Sequence, residues 1–339
     1  MNREALTLRR VGSAVIVLSI ALVAPQALKG GVAQNLAILS ILYAVVASNW
    51  DLTLGYAGIF NFAHVAFFGI GSYVAAISTL QFNVPVWWDL ALAVAVVMAV
   101  GAIVSLLALR LRGIYVALVT FALTQLCVAL INSQKAITGG PVGLIGVPDL
   151  QIGKFSFGSD PRSYFYAAEF LLIASTLALR ALVTSNFGLS LVALRDYEDY
   201  ATSRGIPARR QRVLAIVISS IPTSLAGCLY AHYLIVASPD VFSFSLTTLL
   251  LSMVLVGGAG TIYGPILAAF LLTVGTEELA GLGNLRYMIV AVLIVLTLRF
   301  LPGGVWSLWR TYRPSGRDSS NRASTPGAFA AFDLKEHAE

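Results

Sequence analysis

SNFGLSLVALRDYEDYATSRGIPARRQR, residues 185–212, is the one long charged stretch standing between strongly apolar runs. Leu191, Leu194 and Ala201 recur at helical spacing, with Arg195, Asp196, Glu198, Asp199 and Arg204 on the other faces. That pattern predicts a short amphipathic helix. Gly205 followed by Pro207 ends it, because Gly accepts the left-handed position past a helix and Pro cannot continue one. A polar helix held between two apolar spans is either a solvated connector or a surface that touches something.

The flanking runs decide what kind of protein carries it. Of 339 residues, 58% are hydrophobic and 11% charged, against ~25% charged in a soluble domain. With a mean hydropathy of +0.83, the apolar surface is too large for one soluble core. The chain is expected to be an all-α polytopic membrane protein. Of the 22 Lys and Arg, 17 fall on one side of the proposed spans; only Lys29, Lys135, Lys154, Arg162 and Arg286 fall on the other. Positive charge marks the cytoplasmic side, so both termini are expected inside. The net charge of +6 is therefore an orientation signal, not a nucleic-acid footprint.

Residues 1–10 form a basic cytoplasmic start, and 11–305 a transmembrane domain. Spans are expected at 11–28 (an uncleaved first span rather than a signal peptide), 36–54, 55–80, 86–109, 113–131, 164–182, 213–236 and 287–301, the first five each near the ~20 residues a crossing helix needs. Residues 132–163, rich in Gly, Pro and Ser, form an outer, periplasmic segment. Residues 246–274 are interrupted by GGAGTIYGP (257–265) into halves of about 13 residues, too short to cross alone. A broken or re-entrant pair is expected there, beside about eight full crossings. The third span is also Gly-interrupted, and paired interruptions in two halves point to a two-half pseudo-repeat. The tail, 306–339, has the composition of disorder.

Polar groups at membrane depth need a reason. His64 is expected about nine residues into the third span, roughly 14 Å along it, with Asn61 one turn earlier. It is either a neutral histidine bonded to a neighbouring helix or part of a translocation path. Thr120, Thr124 and Gln125 form a second polar patch, for helix packing or for the path. Gly257, Gly258 and Gly260 allow close backbone approach or a break, whose freed groups must face protein or a water-filled cavity. No deep carboxylate pair is expected; Asp51 is the acid expected in the N-terminal spans, near an inner membrane edge. Cys127 and Cys228 sit in apolar runs as buried free thiols, with no metal-ligand spacing. Phosphate-loop, metalloprotease and nucleophile-elbow motifs are missing from the sequence, so no ATP site and no enzymatic activity is expected in this chain.

Three segments in order resemble a known family. They are GYAGIFNFAHVAFFGIGSY (55–73), LRGIYVALVTFALTQ with TGGPVGL (111–144), and the run from SNFGLSLVALRDYED through SRGIPARRQRVLA and LAGCLYA to LVGGAGTIYGP (185–265). Together they resemble the permease subunits of branched-chain amino acid ABC importers, in particular the M-type permease. The resemblance implies an inner-membrane subunit that pairs with a sister permease and with two cytoplasmic ATPases that use Mg-ATP, fed by a periplasmic binding protein. It implies that residues 185–212 are the loop that docks on the ATPase, with Gly188, Arg195, Asp196, Glu198, Asp199, Arg204 and Gly205 in it. Leu189 and Val192 stand where that family often carries basic residues. Two other readings stay open: the same architecture serving urea, amides or aromatic acids, and a stand-alone ion-coupled transporter.

Overall fold

Helices formed by apolar runs of this length must bury their backbone bonds within themselves if they are to lie in lipid. The computed structural model describes residues 31–111, 113–152, 155–159 and 161–279, with isolated positions from 281 to 304. Among these it has six helices long and apolar enough to cross a membrane. They are α1 (Gly31–Asp51, continued by a π-turn, Leu52–Tyr56), α2 (Ala63–Phe82), α3 (Val86–Ala108), α4 (Ile114–Ser133), α5 (Pro161–Thr184) and, after the connector, α8 (Ala208–Leu234). These correspond to six of the expected crossings, and the fold is an all-α polytopic membrane protein. The first and last expected spans, 11–28 and 287–301, lie wholly or largely outside the described residues, as do the N-terminal segment 1–10 and the tail.

The third span begins later than its sequence predicts. Residues 57–62 are not helical, and α2 starts only at Ala63. His64, expected some 14 Å deep, is the second residue of the helix. The connector is likewise two helices, not one: α6 (Asn186–Asp196) and α7 (Glu198–Ser203), split at Tyr197, whose backbone is extended (φ −148°). The stop was legible, since Gly205 has φ +86°.

The interrupted segment is a hairpin of α9 (Phe244–Gly257) and α10 (Tyr263–Glu278). At 1.5 Å per residue these are about 21 and 24 Å long, short of a ~30 Å hydrocarbon core. Gly257 packs directly on the Gly264 backbone, so no side chain fits between the arms. The 132–163 segment folds as short pieces, a helical turn (Lys135–Thr138) and two-residue strands. Of these strands, β1 (Leu144–Ile145) pairs antiparallel with β4 (Val236–Ala237), and β2 (Gln151–Ile152) with β3 (Phe155–Ser156).

α1 is the central post. From Ile38 to Asp51 nearly every side chain is buried, as expected of a helix apolar all round. It packs on α10, α5, α8 and α9, while α8 packs on α2 and α3. The outer faces of α3, α4 and α5 expose Leu107, Leu118 and Phe170 (75%), which suits lipid and not water. Pro222 lies inside α8. The hydroxyls of Ser219, Ser220 and Thr223 around it bond back to carbonyls of their own helix.

Gly257→Val is expected to force the hairpin arms apart and destabilise the protein by about 1–3 kcal/mol. Gly275→Val, on α10 with open space around it, is expected to change stability little. Thermal unfolding of the detergent-solubilised variants, followed by circular dichroism, distinguishes the two.

Candidate functional site

The two Gly-interrupted segments meet. Gly55, in the π-turn ending α1, lies against Gly260 between α9 and α10, so closely that a Cβ on Gly55 would overlap the Gly260 nitrogen and the Asp51 carboxylate. Asp51 is fully buried. Its Oδ1 accepts from the Gly260 N–H at 2.7 Å and its Oδ2 from the Thr261 N–H at 3.0 Å. The carboxylate thus holds the N–H groups that the hairpin frees by breaking its helix.

Arg195 of α6 reaches the same point. Its Nη1 donates to the Gly55 carbonyl at 2.5 Å, and its Nε to Asp196 at 2.8 Å. Its stem lies over Gly58 (φ +67°), where any side chain would collide with it. One arginine of the connector therefore touches both α1's end and the 57–62 break, alongside the hairpin tip. The Gly188 backbone packs on Val183, setting α6 tightly against the end of α5. Leu191, Leu194 and Ala201 are buried beneath the connector, as their spacing predicted.

The other charged connector residues are mostly engaged with each other. Glu198 pairs with Arg212 at 2.7 Å, tying α7 to α8. Arg204 donates to the Tyr200 hydroxyl at 2.9 Å and stacks over its ring. Asp199 is exposed. The large exposed side chains of the connector are Leu189, Tyr197 (76%) and Tyr200.

The expected path residues lace the 57–62 break. Trp50 Nε1 donates to the Asn61 carbonyl at 2.8 Å, and Asn61 Nδ2 to Thr53 Oγ1 at 3.0 Å. The Phe62 N–H is taken by Thr120 Oγ1 at 2.9 Å. His64, fully buried, shares hydrogen bonds with Ser219 Oγ (3.1 Å) and Asn61 Oδ1 (3.3 Å), and stacks on Trp50 at 5.6 Å. Thr124 faces inward beside Thr120, but Gln125 is exposed on the far side of α4, so that patch is not one surface. Gly257 and Gly258 lie at the hairpin tip with Gly260.

Sequence reasoning missed a second polar cluster, at the opposite end of the bundle. Asp89 of α3 is fully buried, a second acid inside the N-terminal spans where only Asp51 was expected. It accepts from Ser78 Oγ at 2.5 Å and lies 2.8 Å from His232 Nε2 and 3.4 Å from the Cys228 thiol. His232 Nδ1 is 2.8 Å from the Pro148 carbonyl. Cys228 is thus not simply a small hydrophobe: its thiol is part of this set. Oxygen, sulfur and nitrogen stand within 4.8 Å of one another, as metal ligands do. At 2.8 and 3.4 Å they already satisfy each other as hydrogen-bond partners. The available signal was the general one that an ionisable residue in an apolar run has a buried partner.

Asp89→Ala is expected to cost about 3–5 kcal/mol, because it strands His232. Asp89→Leu with His232→Leu is expected to cost less than the two single changes together. Unfolding midpoints of the singles and the double close that cycle.

A family model described as the branched-chain amino acid transport system permease component matches residues 32–298. The high-affinity branched-chain amino acid transport system permease protein LivM of Escherichia coli K12 is 26% identical over 298 residues, covering 81% of this chain and 70% of that protein. LivM of Salmonella typhimurium LT2 is 27% identical with the same coverage. The probable branched-chain amino acid transport permease protein LivM of Methanocaldococcus jannaschii is 26% identical, covering 78% of this chain and 90% of its own. No solved structure matches. The matched stretch takes in α1 to α10, both helix breaks and the connector that joins them, so this chain belongs to the family of branched-chain amino acid transport permease components.

Proposed function

We propose that the chain is the passage-forming subunit of an ABC importer in a bacterial inner membrane, carrying branched-chain amino acids inward. Two ATPase subunits on the cytoplasmic side grip α6 and α7 and hydrolyse Mg-ATP. A sister permease completes the passage, a periplasmic protein delivers the substrate, and both termini of this chain lie inside. The observation that carries this reading is Arg195. It joins a connector with exposed Leu189, Tyr197 and Tyr200 to the point where both interrupted segments meet. Tyrosines and an arginine are what interfaces use as anchors. Glu198–Arg212 fixes the same connector to α8, so displacement of α6 and α7 is passed on as a lever and not absorbed by a slack loop.

A second reading, ion-coupled uptake by the single chain, draws on the buried Asp89–His232 pair, since proton relays use such groups. The pair is enclosed by Ser78, Cys228 and Pro148. Leucine uptake by the purified chain alone, driven by an ion gradient, would establish this reading over the first.

In the assembled transporter, Arg195→Ala and Tyr197→Ala are expected to lower ATP-driven leucine uptake by about tenfold or more, with normal membrane insertion. Wild-type uptake by Arg195→Glu with Glu198→Arg counts against the docking role. A cysteine at Ser203 is expected to react with an impermeant reagent only from the cytoplasmic face; labelling from the outside alone removes the proposal.

A further inference from the structure

At the end of the bundle opposite α6 and α7, a cavity of about 430 Å³ opens between the start of α1, the end of α8, the start of α9 and the end of α10. It is within the size range of small-ligand sites. Leu36, Leu39, Val241 and Leu249 give it an aliphatic wall. Two carboxylates, Asp240 and Glu277, stand at its edge, and among the described lining residues there is no Lys, Arg or His. The first turn of α9 also lines it. Ser243 caps that helix by accepting from the Leu246 N–H at 3.2 Å, which leaves the Phe244 and Ser245 N–H groups, with the partial positive charge of the helix start, to face an anion. One further polar group points to a ligand. Thr273 is only 6% exposed, lines this cavity, and its hydroxyl has no hydrogen-bond partner among the described residues. A buried hydroxyl left unpaired is costly and rare.

We propose that this cavity binds an α-amino acid with an aliphatic side chain, in its zwitterionic form. The ammonium is held by Asp240 and Glu277, the carboxylate by the start of α9, the Thr273 hydroxyl bonds the ligand's polar end, and the side chain lies on the leucine wall. The inference rests on the transport reading above and assigns it a binding site. Neither a simple cation nor a fatty acid matches all three features, because each leaves one charged or polar element of the site without its complement.

The test is equilibrium binding of radiolabelled L-leucine to the full chain in lipid nanodiscs. The competitors are 3-methylbutylamine, which lacks the carboxylate, and 4-methylpentanoate, which lacks the ammonium. Saturable leucine binding is expected, with each competitor weaker than leucine by about tenfold or more. Thr273→Val, nearly the same shape, and Glu277→Gln are each expected to weaken leucine binding about tenfold with an unchanged unfolding temperature. The proposal is overturned by any of three results: no saturable binding, an amine that competes as well as leucine, or affinity unmoved by both variants. Uptake by the assembled transporter separates this failure from that of the wider reading. ATP-driven leucine uptake whose rate is unchanged at every leucine concentration in both Thr273→Val and Glu277→Gln removes the cavity as a substrate site and leaves the transporter; no ATP-driven uptake by the wild type removes the transporter reading itself.

Discussion

A backbone N–H or C=O in hydrocarbon must find its partner inside the protein, and this chain breaks its helices twice where few partners exist. The Asp51 carboxylate answers the second break by accepting from Gly260 and Thr261. Thr120, Trp50 and Asn61 answer the first, by taking the Phe62 N–H and by donating to Asn61 and Thr53. The answers come from other helices, so each break ties elements together that apolar packing alone would leave free to slide. α1 supplies Trp50, Asp51 and Thr53, and this is why a mostly apolar helix at the centre of the fold ends in a polar turn.

That arrangement also explains why Arg195 can matter. A guanidinium lying against an apolar bundle, with its side chain still 35% exposed, costs least when its inward-facing donors meet acceptors. Here the Gly55 carbonyl and Asp196 supply them, and Gly58 leaves room for the side chain. Lys would supply a point charge without the planar fork that spans a carbonyl and a carboxylate at once. The glycines of the two interrupted segments thus serve contact between elements as much as bending of the chain.

Long apolar runs made the spans legible, because nothing else in a sequence looks like twenty residues of Leu, Val, Ala and Ile. The hairpin was legible too, since two short apolar halves with GGAGTIYGP between them cannot each cross. The start of α2 was not. GYAGIFNF is as apolar as the helix that follows it, and the freed Phe62 N–H finds its partner on Thr120, 58 residues away. The split at Tyr197 has no Gly or Pro to announce it. The Asp89–His232 contact joins residues 143 apart in sequence, a distance that no local pattern encodes. The charges of the connector were visible as charges, but their pairing, Glu198 with Arg212 for instance, joins residues too far apart in sequence for a local pattern to show, and leaves both partners partly exposed.

Polar contacts therefore concentrate towards the two ends of the bundle, with an apolar stretch of α1, Ala44 to Ala47, between them. Apolar contacts are non-directional, and their energy changes gradually as helices shift. Buried hydrogen-bonded pairs behave differently, since a displacement of an ångström or two leaves desolvated groups unpaired. Rearrangement of such a bundle is consequently resisted at Asp51 and Arg195 at one end and at Asp89 and His232 at the other, and much less in the middle. Force applied to α6 and α7 acts on the first of these directly. A route to the second runs along α8, which carries Arg212 at its first turns and His232 near its last, each bonded to a carboxylate.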